Sequence, residues 1–286
     1  MGAMIKDLVV NLAADAGRDA AAEFAVSITA AFRAHIAGIA FAFDPVIAPV
    51  VSPAVLGGFS AGWIDTQRSD NLAAAKAAID RFEAAAAREG VSAEHRLLEA
   101  SVAGAANRFG AIARCFDLAV AGQTDPGRPG RTVADALMIE AALFESGRPV
   151  VVVPYIRKTG LKLARVLVCW DASRSAARAI ADAMPFLRRA EAVEIVMVSG
   201  GKAAPDEVPG ADIGEHLARH DLAVEVKHLV ADDVDVPNAI QSYAADCAAD
   251  FIVMGGYGHS RLRELILGGA TRGILESMTV PVLMSH

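Results

Sequence analysis

Phe251-Ile-Val-Met-Gly-Gly-Tyr-Gly-His-Ser-Arg-Leu-Arg-Glu-Leu-Ile-Leu-Gly-Gly-Ala-Thr271 is the stretch on which the fold turns. Its first residues, Phe251 to Met254, form a short apolar run of the kind found in parallel strands buried on both faces. The run stops at Gly255 and Gly256, and Gly258 follows. Glycine turns at positive φ and lets a backbone approach a ligand closely. Gly268 and Gly269 then open a segment, Ala270 to Met278, that reads as a helix. Backbone N–H groups in a glycine loop and at a helix start attract anions. The pattern reads either as a phosphate cradle at a strand end or as plain turn glycines between a strand and a helix. It is not a P-loop, because no Gly-Lys-Ser/Thr closes it and no lysine lies between Phe251 and His286. Nor is it the Gly-x-Gly-x-x-Gly of dinucleotide-binding folds, since Gly255-x-x-Gly258 is followed by nine residues and Gly268-Gly269.

The remainder of the chain sets the frame for that stretch. Its 286 residues suggest two domains, taking roughly 150 residues for each. A net charge of −7 and the lack of a long basic run argue against nucleic acid as the main partner. No apolar run approaches the roughly 18 residues of a spanning helix, and no basic region followed by an apolar block marks a secretory signal. Cys115, Cys169 and Cys247 are odd in number and far apart, each in or beside an apolar segment. They are expected to be buried free thiols in a reducing cytoplasm.

Taken from the start, strands and helices alternate. Strands are expected at Ile5–Leu12, His35–Phe43, Val91–Leu98, Leu118–Gly122 and Pro149–Pro154, with helices between them at Arg18–Ala34, to Arg88, at Ala103–Arg114 and at Arg131–Glu145. The segment Asp44–Ser69, with Pro45, Pro49, Pro53 and Gly57-Gly58, is longer than common connections. It is expected to be irregular, either a functional flap or, as its few polar groups favour, a surface excursion packed by Trp63. Asp70 then caps the next helix. After a short linker, Tyr155–Lys162, the pattern repeats. Strands fall at Arg165–Trp170, Val193–Ser199, Ala223–Val230 and Phe251–Met254, with helices at Ser173–Arg189, Ala211–His220 and Pro237–Cys247. Alternation of this kind predicts an α/β fold of parallel, doubly wound sheets. An internal repeat is visible by eye. Asp117-Leu-Ala-Val-Ala-Gly122 parallels Asp250-Phe-Ile-Val-Met-Gly255, and Glu145-Ser-Gly-Arg-Pro-Val-Val-Val parallels Ser277-Met-Thr-Val-Pro-Val-Leu-Met.

The glycine spacing resembles the motif of the universal stress protein family, Gly-x-x-Gly, nine residues, Gly-Ser/Thr. The resemblance runs on to Val280-Pro-Val-Leu-Met284, which is similar to that family's closing strand, and with the repeat it covers nearly the whole chain as a tandem member. It implies two domains, 1–156 and 157–286, each a three-layer α/β/α sandwich with five parallel strands in the order 3-2-1-4-5. Pairing of the two domains through their fifth strands is also implied, with a homodimer as a further possibility. Many members bind ATP in this loop, and Mg²⁺ could accompany the phosphates. Carried over position by position, the resemblance implies a nucleotide site in the second half. Asp171 would lie near adenine or ribose, Val198 would contact adenine through backbone, and Met254 would line the pocket. Gly255, Gly258, Gly268, Gly269, Ala270 and Thr271 would surround the phosphates, and His259 and Arg261, by their positive charge beside these glycines, join the candidate site. Asp171 has a second reading as a helix N-cap, shared with Ser173. Gly269 stands where the family has Ser or Thr, so a phosphate-binding hydroxyl is missing there, and Thr271 is the nearest substitute.

The first half departs further. Ala13 stands where Asp171 does, and Asp125 where Gly258 does. A carboxylate repels phosphate, and Pro126 and Pro129 remove donors. This half is therefore read as a non-binding partner domain. Arg263 and Arg272 join His259 and Arg261 near the glycines of the second half, where arginine suits phosphate oxygens; a solvated helix face with Glu264 is the plainer reading. His216 and His220 are i,i+4 on one helix but lack a completing carboxylate pattern, so with His228 they read as surface residues and no metal site is expected. No catalytic residues stand out. The leading expectation is a cytoplasmic stress-response protein that binds ATP in a regulatory role, away from nucleic acid and membranes. An interaction module without ligand is the alternative, and a weak ATP hydrolase the second alternative.

Overall fold

The computed structural model describes residues 4–14, 17–45, 61–127, 132–199, 210–231, 235–256 and 269–286. In the first half, β1 (Asp7–Leu12), α1 (Ala20–Phe32), β2 (His35–Phe43), α2 (Ala61–Arg88) and β3 (Ala93–Ala100) lead to α3 (Val102–Ala113), β4 (Leu118–Gly122), α4 (Thr132–Glu145) and β5 (Val150–Val153). The second half follows the same course: β6 (Arg165–Cys169), α5 (Arg174–Leu187), β7 (Ala192–Ser199), α6 (Ala211–Ala218), β8 (Val224–Val230), α7 (Val236–Asp246), β9 (Phe251–Gly255), α8 (Gly269–Ser277) and β10 (Val282–Ser285). All the strands join one sheet in the order β3-β2-β1-β4-β5-β10-β9-β6-β7-β8. Each half thus has the expected order 3-2-1-4-5, and the whole reads the same from either end.

Every neighbouring pair is parallel except β5 and β10, which run antiparallel with Val152 opposite Val282 and Val150 opposite Met284. That pairing covers what would otherwise be the apolar edge of each half. Val150 to Val153 are fully buried, which accounts for a β-branched run without alternation. The outer strands β3 and β8 are largely exposed and carry Glu94, Arg96, Glu225 and Lys227, charges that discourage edge pairing.

Helices cover both faces, and each face has one core that crosses the boundary between the halves. On one face, Leu8, Val10, Phe24 and Ile28 share a cluster with Val166, Phe186 and Phe251. On the other, Val9, Phe109 and Met138 share one with Ile240, Ile252 and Ile274. Phe186 sits between Phe32, 5.1 Å away edge-on, and Phe251, 5.1 Å away and stacked. The Arg189 guanidinium lies over the Phe32 ring at 4.0 Å. The repeated Asp noticed in the sequence has a structural cause. Asp117 Oδ2 accepts the backbone N–H groups of Lys6 (2.8 Å) and Asp7 (3.1 Å). Asp250 Oδ2 accepts those of Ala164 (3.1 Å) and Arg165 (3.3 Å). Each carboxylate ties the start of its fourth strand to the start of its first.

Two expectations are corrected. The irregular segment Asp44–Ser69 ends earlier, because α2 already begins at Ala61; residues 46–60 lie outside the described residues. Asp70 is therefore an exposed residue inside α2, not its cap, and Trp63 is 39% exposed on the same helix. The polar stretch Asp65–Asn71 resembled a loop because this part of α2 overhangs the core. Its polar groups are used laterally: Arg68 pairs with Glu99 at 2.7 Å, and Asn71 Nδ2 donates to Phe43 O at 2.7 Å. The second correction concerns cysteine. Cys115 is exposed, while Cys169 and Cys247 are partly covered. No described helix is long and apolar enough to cross a membrane.

A continuous sheet and shared cores predict that both halves unfold together, in one transition, in urea monitored by fluorescence and circular dichroism. Phe186→Ala should lower that shared transition by about 3–5 kcal/mol. Two separate transitions, with only the later half affected, would show that the halves are energetically independent.

Candidate functional site

The site implied for the second half lies beyond the carboxyl ends of β6, β7 and β9, where the strand order reverses between β6 and β9. Open α/β sheets leave a crevice at such a switch point. The ladder between β6 and β7 pairs Cys169 with Val196, and Trp170 N extends it by donating to Val196 O at 2.9 Å. Carried two residues on, that register sets Asp171 level with Val198. The β6–β9 ladder pairs Val168 with Val253, so Met254 comes level with Cys169. Three of the expected positions, from three strands, thus converge on one end of the sheet.

Asp171 is exposed, and its Oδ1 accepts the Ser173 N–H at 3.0 Å. Ser173 is the N-cap of α5: its hydroxyl accepts the Ala176 N–H at 3.1 Å. The capping role left open between the two residues therefore falls to Ser173, while Asp171 braces the turn before it. Ala172 between them holds φ 59°, in the left-handed region that a residue with a Cβ rarely adopts. Val198 is partly exposed and Met254 is 6% exposed. The Cys169 thiol is pushed up to about 12 by burial, and then by the negative charge of Asp171. It stays protonated at neutral pH and supplies no nucleophile.

The glycines divide by cause. A Cβ at Gly255 would stand 2.5 Å from Ala176 N and 2.7 Å from Ser175 Oγ. The close approach this glycine permits is therefore to the first turn of α5. A Cβ at Gly256 would stand 2.7 Å from the Leu143 side chain, in the other half. Gly269 is exposed, and among the described residues no atom lies within 4 Å of where its Cβ would stand. Gly258, His259, Arg261 and Gly268, with Arg263 and Glu264, lie outside the described residues. Ala270 is partly exposed and Thr271 is 3% exposed, so the nearest substitute hydroxyl is inside the protein. Arg272 is turned to Glu276, one helical turn on, at 2.7 Å. Helix α8 itself packs tightly on α7, where Pro237 would meet a Cβ on Gly273 at 2.5 Å. Helix α7 is in turn tied to the sheet by Tyr243 Oη, which donates to the buried Glu194 at 2.6 Å.

In the first half the equivalent place is narrowed to a small cavity lined by Leu12, Ala13, Phe41, Phe43, Asp135 and Met138. Register places Phe41 where Val198 stands, and Phe41 is 2% exposed and stacked on Phe43. Asp19 caps α1 at Ala22 N (3.0 Å) and also accepts the Ala13 N–H at 2.7 Å. Burial pushes the Asp19 carboxyl up, against the pull of these hydrogen bonds and of Arg81. Arg81 donates to Ala13 O at 3.0 Å. The position matching Asp171 is thus pinned as part of the protein. His216 and His220 are exposed and their rings meet edge-on at 4.9 Å. Among the described residues no group of three or more His, Cys, Asp or Glu comes together.

Comparison with known proteins fits this geometry. The model of the universal stress protein family matches residues 162–286, so the second half carries a domain of that type. Universal stress protein Slr1230 of Synechocystis is 34% identical over 90 residues, which is 30% of this chain and 30% of that protein. The match thus spans less than a third of that relative's length. A solved universal stress protein from Archaeoglobus fulgidus is similar over 99% of this chain and 96% of its own, with a TM-score of 0.73 at 16% identity. A functionally unknown protein from Pseudomonas aeruginosa is similar over 98% and 92%, with a TM-score of 0.56 at 14% identity. At such identities the likeness is one of fold, and it extends over both halves.

The glycine contacts give a direct test. Gly255→Ala should lower the thermal midpoint by several degrees, since a Cβ meets backbone that cannot yield. Gly269→Ala, with no described atom near the added Cβ, should change it by less than a degree or raise it slightly. Equal shifts for the two would mean that Gly255 is not held against α5.

Proposed function

We propose that the second half binds an adenine nucleotide, ATP, at the crevice between β6 and β9, and that the protein acts as a stress-response regulator through that binding. The observation that carries this reading is the convergence of Asp171, Val198 and Met254 on one strand-end crevice, inside the segment that the family model matches. In this reading Asp171, already braced against Ser173, keeps Oδ2 for ribose or adenine. Val198 and Met254 supply an apolar floor. Gly255 brings the strand end close to α5. The phosphates fall to Gly258, Gly268, Gly269, Ala270 and Thr271 by the spacing of the motif, and to His259 and Arg261 by their positive charge. In this reading the bound nucleotide acts as a regulatory ligand rather than as a substrate. Mg²⁺, if it accompanies the phosphates, would be brought by the nucleotide. A reducing cytoplasm suits the chemistry of the free thiols.

One observation favours the second reading, an interaction module without ligand. Gly269 lacks the hydroxyl of the motif, and Thr271 is buried. Titration calorimetry of ATP into the purified protein separates the two. Gly258→Asp, which copies Asp125 of the first half, should weaken ATP binding by roughly 10²- to 10⁴-fold, taking two lost hydrogen bonds to a charged group at about 1.5–3 kcal/mol each. Far-ultraviolet circular dichroism should be unchanged. No binding by the wild type supports the interaction module, and equal affinity for both proteins puts the nucleotide elsewhere.

A further inference from the structure

We infer that Gln123, in the first half, is a positioning residue for α8, the helix that follows the glycine loop of the second half, and so couples the nucleotide site proposed above to the half that has lost its own. The described part of helix α8 runs from Gly269 to Ser277. Most helical stability in proteins comes from tertiary packing, and the last carbonyls of a helix have no partner within it. Met278 N takes up Ile274 O at 2.8 Å. The next two carbonyls are met from across the boundary. Gln123 Nε2 donates to Leu275 O at 2.8 Å and to Glu276 O at 3.3 Å. The amide is fixed at its other end too, since its Oε1 accepts the Tyr155 N–H at 3.4 Å. Gln123 is 5% exposed, so these bonds are made away from water.

The arrangement is one-sided, although its frame is symmetric. Gln123 and Gly256 hold the same place after β4 and β9. Their N–H groups donate to Val153 O and Ser285 O, both at 2.8 Å. Gly256 has no side chain to reach the opposite helix, and Leu143 of α4 packs into the space. Helix α4 instead has its end held from within its own half, by Arg114 Nε donating to Glu145 O at 2.9 Å. Of these two matched helices, α8 has its last carbonyls met by a side-chain amide of the other half, whereas α4 has Glu145 O met by an arginine of its own. Positioning one end of a rigid helix fixes the direction in which its N-terminal N–H groups point.

The inference rests on the nucleotide reading for its consequence but not for its first test. Hydrogen exchange by mass spectrometry on the full chain, without ligand, should show amides of residues 269–277 exchanging about 3- to 10-fold faster in Gln123→Ala. That is the effect of one neutral hydrogen bond. Exchange in β1, β4 and β5 should be unchanged. Gln123→Glu keeps the size but cannot donate when ionised, so it should behave like Gln123→Ala or worse. ATP affinity, by calorimetry, should fall by about 3- to 10-fold in both variants. Unchanged exchange over 269–277, an equal increase throughout the sheet, or faster exchange with wild-type ATP affinity would each overturn the inference. A wild-type protein that binds no ATP would sink the nucleotide reading, while the exchange result still decides whether Gln123 holds α8.

Discussion

The antiparallel pairing of β5 with β10 is the constraint on which the rest of this molecule depends. Each half alone would end in a strand of fully buried type with an unpaired edge, and such edges recruit other chains. Here the two edges satisfy each other. The pairing turns two parallel sheets into one sheet of ten strands. It also sets the helices of both halves side by side, so that Phe32 can meet Phe186 and Gln123 can reach α8. The linker follows the same logic. Leu161 N donates to Ser27 Oγ at 2.8 Å, and Gly160 lies so close to Ser27 that a Cβ would stand 2.7 Å from it.

Within that shared frame the two strand-end crevices have gone different ways for reasons visible in single residues. In the second half the turn after β6 is short, and Ser173 caps α5 four residues beyond Cys169, leaving Asp171 exposed. In the first half the cap is Asp19, seven residues beyond Leu12, and its second oxygen is spent on Ala13 N. Phe41 and Phe43 line the small cavity that remains there, with Asp135 beside them. A narrow crevice with carboxylates at Asp19 and Asp135 does not suit an anionic ligand.

The alternation and the repeat were legible because they depend on local pattern: buried parallel strands read as apolar runs, and strand ends read as glycines. The strand order and the positions Asp171, Val198 and Met254 came from the family resemblance, since no local pattern fixes which strands are neighbours. Helix α2 was misread in its first turns because the usual signal, an apolar stripe, is absent where a helix overhangs its core. Cys115 was misassigned because an apolar neighbourhood in sequence does not fix which way a side chain faces at a helix end. Gly255 was read toward a ligand, yet its nearest neighbour is Ala176 N. Gln123 and Leu143 had no signal at all, since each matters through a contact with the opposite half. Those contacts follow from β5–β10 pairing, and no periodicity within one half encodes them.

The same pairing makes the first half part of the second half's core, whatever its own crevice does. Val282, Leu283 and Met284 are fully buried in β10. At about 1.5–3 kcal/mol for each such side chain, their burial amounts to roughly 5–9 kcal/mol. That is comparable with the whole net stability of an ordinary domain, about 5–15 kcal/mol. Strand β5 is therefore held to its composition by the second half's need for cover. The loops at the other end of the first half answer to no such demand. Carboxylates and prolines there are costly only if a phosphate must be bound, whereas an apolar-to-polar change in Val150–Val153 is costly in every case. Val150–Val153 are fully buried, so such a change costs the same whichever crevice takes a ligand.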